Sequence, residues 1–172
     1  MGRDSKKQDA PPPSEGFAKY SLVLGIALVI VIFDQVTKIW IDSSMTLYES
    51  IPILDGFNLT YVRNTGAAFS LLADMSETYR VPFFLTVAAI AIVGIFFFVR
   101  TTPMSQKLVL IACGFVLGGA LGNVIDRVAY GSVIDFLDVY YGTWHWPAFN
   151  VADSFISIGV VLLLGHTVFV GE

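Results

Sequence analysis

The chain has one cysteine, Cys113, and two histidines, His145 and His166, among 172 residues. A lone cysteine excludes an intramolecular disulfide, and without a Cys/His cluster the usual zinc ligand sets are missing. His145 has no serine signature beside it, and His166 lies at the far end of an apolar run, so a Ser–His–Asp arrangement is not expected. No glycine-rich phosphate loop opens a helix after a strand. Charge is scarce as well: Asp, Glu, Lys and Arg make up 14% of the chain, with a net charge of −4. That balance offers no basic surface for nucleic acid. Neither a metal nor a cofactor is expected.

What the chain has in excess is apolar surface: 55% of residues are hydrophobic, and the mean hydropathy is +0.72. A soluble domain of this length carries less. The apolar residues are also bunched. Val81–Val99 runs nineteen residues without a charge, Leu108–Ile125 eighteen, and Val151–Val170 twenty, with Asp153 and His166 near its ends. At the rise of an α-helix these stretches are about 27–30 Å long, the thickness of a bilayer's hydrocarbon core. A fourth run, Tyr20–Phe33, is fourteen residues. It spans only if the helix continues through Asp34, Gln35 and Lys38 to Trp40. Asp34 and Lys38 stand four apart, so they share a helix face and can pair. No small-residue cleavage site follows, which argues against a removed signal peptide.

The expected fold is therefore an all-α membrane protein with four transmembrane helices, at about 20–40, 81–99, 108–125 and 151–170. Two outer loops, 41–80 and 126–150, join them. Residues 1–19 are polar, contain Pro11-Pro12-Pro13 and read as a disordered cytoplasmic tail. Within the first loop, Ile51–Tyr61 reads as two short strands around the Asp55-Gly56 turn, a small β element on the outer face. Phe57, Leu59 and Tyr61 share one side of it. Arg3, Lys6, Lys7 and Lys19, with Arg100 and Lys107 around the short loop, place both termini in the cytoplasm. Ten of the fourteen acidic residues, from Asp34 to Asp153, then fall on the outer side.

In the third span Gly114, Gly118 and Gly122 recur every four residues, with Gly119 beside them. They bare one helix face for close approach by a neighbour. Cys113, in the same span, reads as a small core residue.

The outer side collects Asn64, Asn123, Arg127, Asp135, Asn150 and Asp153. A carboxylate in or beside a membrane span costs up to about 2.5–3.5 kcal/mol at the helix centre, less near the interface. Two of them in a small membrane protein form a site hypothesis. If Asp135 and Asp153 meet, they share a proton and titrate as a pair. One is then a base that activates water, and the other an acid that polarises a carbonyl, as in aspartic proteases. Each also has a plainer reading, capping a helix or facing water.

Five segments, taken together, resemble the lipoprotein signal peptidases (signal peptidase II). They are Asp34-Gln35-Val36-Thr37-Lys38, Asn64-Thr65-Gly66-Ala67-Ala68-Phe69-Ser70, Gly118 to Arg127, Val133-Ile134-Asp135-Phe136, and Pro147 to Ser154. The resemblance runs from Asp34 to about Gly165. It implies a four-span bacterial aspartyl protease of the cytoplasmic (inner) membrane, with its site toward the outer face. Asp135 and Asp153 would be its catalytic pair. Asn64, Asn123, Arg127 and Asn150 would line the site, and Asp34 and Lys38 would hold helix and loop together at its edge. The implied substrate is a prolipoprotein whose cysteine carries a diacylglyceryl group, cut just before that cysteine. Membrane lipids and globomycin-type inhibitors are the other implied partners. The Phe57/Leu59/Tyr61 face of the first loop would cover the site as a cradle. No feature demands more than a monomer. Two readings compete: a proton-coupled transporter using Asp34, Asp135 and Asp153, and a structural four-span subunit packed through the glycine face.

Overall fold

In a computed structural model, which describes residues 13–66 and 76–169, four long helices carry a small antiparallel sheet at one end. The helices are α1 (Pro13–Ser44), α2 (Glu77–Thr101), α3 (Lys107–Tyr130) and α4 (Val151–Phe169). All four are long and apolar enough to cross a membrane. The strands are β1 (Ser50–Leu54), β2 (Phe57–Asn64), β3 (Val133–Tyr141) and β4 (Trp144–His145), in spatial order β1-β2-β3-β4.

Helix α3 is the centre of the bundle and packs on α1, α2 and α4. Its glycines explain how. A Cβ at Gly118 would sit 2.9 Å from the Ala27 carbonyl of α1, and one at Gly114 would meet Ile26 at 2.8 Å. Gly119 faces the Ala152 backbone of α4 instead, and Gly159 of α4 returns the contact against Ala112. The glycine stripe thus lets two helices close on α3 from different sides. Val23, Ala27, Val99, Leu110, Cys113 and Leu117 form the buried core between them. Helix α2 is apolar all round and leaves Phe83, Val87, Ile90 and Phe97 exposed, as a lipid-facing helix does.

Two helix boundaries differ most from the sequence expectation. Helix α1 begins at Pro13, so residues 13–19 are helical rather than part of a disordered tail; residues 1–12 lie outside the described residues. The reason is a set of polar contacts at the end of the bundle away from the sheet. Buried Lys19 donates from Nζ to the carbonyls of Arg100, at 2.7 Å, and Thr102, at 3.0 Å. Glu15 accepts the Met104 N–H at 3.1 Å. Lys19 thereby closes carbonyls left open where α2 ends, and Glu15 holds the loop that follows. Helix α3 runs past Ile125 to Tyr130, because Asp126 is buried and paired there and does not end the helix. Gly131, at φ 69, ends it in the left-handed cap that glycine tolerates best.

The β1–β2 hairpin turns at Asp55-Gly56 as expected, with Gly56 at φ 88. Strand β3 was not anticipated. It pairs with β2 from Phe57↔Val139 to Asn64↔Val133 and bridges to Phe149 through Leu137. Its run Val133-Ile134-Asp135-Phe136 is buried on both faces, so it lacks the alternation that marks a half-buried strand. Leu59 and Tyr61 pack inward against Ile41, Met45, Ile134, Phe136 and Val151. At Leu59 and Tyr61 that side of the loop is therefore core, packed on the C-terminal end of α1, rather than a cover over the site.

Candidate active site

Asp135 rides on β3 as the third residue of that strand's buried run, and Asp153 on the first turn of α4. Both line one cavity of about 550 Å³, together with Asn64, Asn123 and Arg127. Asn150 and Asn123 join the two aspartates. Asn150 Nδ2 donates to Asp135 Oδ1 at 2.7 Å and lies 3.2 Å from Asn123 Oδ1. Asn123 Nδ2 in turn donates to Asp153 Oδ1 at 2.8 Å. Asn64, at the end of β2, donates to Asp135 Oδ2 at 2.8 Å. The sheet thus brings Asn64 and Asp135 to the helix ends, and the chain's amides fill both Asp135 oxygens.

Asp135 lies outside the spans, and its surface is almost wholly covered. Burial and, second, the negative charge of Asp153 push its pKa from an ordinary 3.8 up to about 7; the amides of Asn64 and Asn150 pull the other way. A carboxyl that keeps its proton to near neutrality, beside another carboxylate, offers an acid and a base at the same pH.

Arg127 also lines the cavity. Its guanidinium donates to the carbonyls of Asn123, at 3.2 Å, and Gly66, at 3.5 Å, and stacks 4.7 Å from the Phe84 ring centroid. Asn64 Oδ1 accepts the Gly66 N–H at 2.9 Å. The first loop is therefore tied to the site at Asn64 and Gly66. The rest of the 64–70 motif, residues 67–70, lies outside the described residues.

Asp34 and Lys38 pair at 2.8 Å across one turn of α1, as their spacing predicts. They lie at the buried junction of α1, α3 and α4, beside the cavity and outside its lining. Asp34 Oδ1 accepts the Ala152 N–H at 2.9 Å. Lys38 Nζ also reaches Asp126 Oδ2 at 3.0 Å and Asn123 Oδ1 at 3.0 Å. With three acceptors the ammonium is fully satisfied, which is what lets it stay buried. Sequence reasoning missed Asp126 and Gln35 as members of this cluster. Gln35 Nε2 donates to Asp126 Oδ1 at 2.9 Å, and Asp126 Oδ2 accepts the Ile134 N–H at 3.1 Å. The available signal was a repeat: Asn123 and Asp126 mirror Asn150 and Asp153 in spacing.

Residues 26–169 match a family model described as signal peptidase (SPase) II. The chain belongs to the signal peptidase II family. Relatives called lipoprotein signal peptidase include one from Geobacter sulfurreducens, 52% identical over 145 residues, covering 84% of this chain and 89% of that one. Another, from Syntrophus aciditrophicus, is 47% identical over 144 residues, covering 83% and 89%. A solved structure described as a bacterial membrane enzyme superposes with a TM-score of 0.74 at 35% identity, over 84% of this chain and 88% of that one. As a signal peptidase II, the chain is a peptidase and a multi-pass bacterial membrane protein. The transporter reading has no support.

Proposed function

We propose that the chain is an aspartic endopeptidase that removes signal peptides from prolipoproteins, cutting before a diacylglyceryl-modified cysteine. The observation that carries this reading is that Asp135 and Asp153 line one cavity and are joined through Asn150 and Asn123. The ionised member of the pair takes a proton from water as the oxygen attacks the peptide carbonyl. The protonated member gives its proton to the carbonyl oxygen. A tetrahedral intermediate forms, and the pair protonates the amide nitrogen. The C–N bond breaks as one hydroxyl of the intermediate returns its proton to the pair, which re-forms the carbonyl and restores the singly protonated pair. Asn64, Asn123 and Asn150 hold the carboxylates in register. Arg127, in the cavity lining, orients the substrate backbone.

The location suits the substrate. A signal peptide is a membrane helix, and its lipid-bearing end lies at the outer interface. The pair sits where helix ends meet the sheet, at the end of the bundle opposite Lys19, Arg100 and Lys107. Those basic residues belong on the cytoplasmic side. The cavity is flanked by Ile156 and Ile158 of α4 and by Trp146, an apolar border for acyl chains. A globomycin-type lipopeptide would compete for the same space. The enzyme works in the inner membrane as a monomer and uses no metal or cofactor.

The test is cleavage of matched peptides with and without the diacylglyceryl group, in the presence and absence of EDTA. Cleavage of the lipidated peptide alone, at one bond and insensitive to EDTA, is expected. Equal cleavage of both peptides, or activity lost to EDTA and restored by zinc, would contradict it. Labelling a cysteine placed at Thr143 from the outer face alone tests the orientation.

A further inference from the structure

The cluster around Lys38 contains a repeated arrangement. Asp34 uses Oδ2 for the Lys38 ammonium, at 2.8 Å, and Oδ1 for the Ala152 N–H, at 2.9 Å. Asp126 uses Oδ2 for the same ammonium, at 3.0 Å, and for the Ile134 N–H, at 3.1 Å. Ala152 directly precedes Asp153, and Ile134 directly precedes Asp135. One ammonium therefore ties together two carboxylates, each of which grips the backbone one residue before a member of the pair. The third acceptor of Lys38 is Asn123 Oδ1, and Asn123 holds the Asp153 side chain itself.

We propose that Asp126, with Lys38 and Asp34, forms a positioning device that sets the spacing of the Asp135–Asp153 pair. The inference rests on the aspartic reading above and adds a role for Asp126. Asp34, Asp126 and Lys38 are almost wholly buried, and none of them lines the cavity. Their effect on chemistry is routed through backbone. Helix α1 supplies Asp34 and Lys38, α3 supplies Asp126, and the gripped segments are the starts of β3 and α4. Four elements are locked at one point. Gln35, donating to both Asp126 Oδ1 and Asp34 Oδ2, closes the cluster on its other side.

Spacing matters because two carboxylates share a proton only at close range, and their two macroscopic constants separate as they approach. A misplacement of about 1 Å can lower turnover about 100-fold. The charged groups that bear on the pair from the packed elements are Asp34, Lys38, Asp126 and Arg127. Removing the charge of Asp126 alone would move both constants in the same direction. Loosening the pair would instead bring the two constants together.

The experiment compares the full-length enzyme with Asp126→Asn, Asp34→Asn, the double variant and Asp135→Asn. It reads kcat, KM, pH profile and thermal stability on a diacylglyceryl-modified peptide. In Asp126→Asn we expect a folded protein with kcat down about 100-fold and KM little changed. The gap between the two limbs of its pH profile should narrow. The double variant should lose little more than the worse single, because both aspartates act through one lysine. Unchanged kcat, two limbs displaced together with the gap intact, or additive losses would overturn the proposal. So would an Asp126→Asn protein that does not fold, since the cluster would then serve stability alone. Turnover retained in Asp135→Asn would mean instead that the aspartic reading itself fails.

Discussion

Asn150 and Asp153 cap one another across the first turn of α4. Asn150 Oδ1 accepts the Asp153 N–H at 2.9 Å, and Asp153 Oδ2 accepts the Asn150 N–H at 3.3 Å. This is a capping box with amide and carboxylate in the usual places of hydroxyl and Glu. The plain reading of Asp153 as a helix cap and its place beside Asp135 are thus compatible. One oxygen caps, and the other is held by Asn123. Asn150 is also the residue that reaches Asp135, so the start of α4 and the geometry of the site are one structure.

Asn150→Ala should remove both. Loss of an N-cap costs about 1 kcal/mol, and Asp135 Oδ1 loses its 2.7 Å donor. We expect a lowered melting temperature and at least a tenfold loss of kcat on a lipidated peptide. Thermal unfolding and turnover of the purified variant check this. Wild-type values for both would contradict the shared role.

The glycines of α3 give a graded series. A Cβ at Gly122 would lie 2.5 Å from Asp34 Oδ2, which Lys38 holds in place, whereas Gly94 of α2 has open space around it. Gly122→Ala should impair stability and turnover together. Gly118→Leu should do so more severely, by wedging α1 from α3; overpacking of this kind costs about 1–3 kcal/mol or more. Gly94→Ala should leave both unchanged. Melting temperatures of the three variants in one detergent rank the effects, and an equal ranking would mean that the glycine face looks at lipid.

At the end of the bundle away from the site, Lys19→Met removes the donor to two carbonyls at the end of α2. Leaving buried acceptors unpaired costs about 1–3 kcal/mol. We expect a destabilised enzyme whose turnover per folded molecule is unchanged, because Lys19 lies at the opposite end of the bundle from the site. Arginine at this position should restore part of the loss. A kcat defect in folded Lys19→Met would show coupling between the two ends.

The sequence made the bundle legible and the site only partly so. Three spans announce themselves by uncharged length. The Asp34–Lys38 pair follows from a spacing of four, and the hairpin from Asp55-Gly56. What stayed hidden was decided by tertiary pairing. Charge normally ends an apolar run, so Asp126 looked like the start of a loop, yet its partners on α1 keep it buried inside α3. Lys19 looked like tail for the same reason. Strand β3 finds its partner β2 some seventy residues earlier in the chain, and local pattern carries no trace of such a pairing. The amides around Asp135 and Asp153 were visible as residue types, but their order of connection was not.

The raised pKa of Asp135 has a stability consequence. Its folded value, about 7, exceeds the ordinary 3.8, so the folded state binds the proton more tightly. Between those values the folded protein holds more protons than the unfolded chain, and stability falls as pH rises. The stabilisation is full below about 3.8 and lost by about 7. Melting temperature should therefore decline across that window in the wild type, and the decline should be smaller in Asp135→Asn. Parallel curves for the two proteins would contradict the shifted value.

Whether Asp135 and Asp153 act as one catalytic unit is decided by the turnover of their asparagine variants. Asparagine keeps the shape of aspartate and cannot take the proton. The measurement is single-turnover cleavage of a diacylglyceryl-modified peptide by folded Asp135→Asn, Asp153→Asn and the double variant, with peptide binding measured in parallel. Each single variant should lose nearly all turnover while binding is largely kept. The double variant should be no worse than the singles, because residues acting as a unit are not additive. Near-normal turnover in either folded single variant, or losses that multiply in the double, would contradict the account.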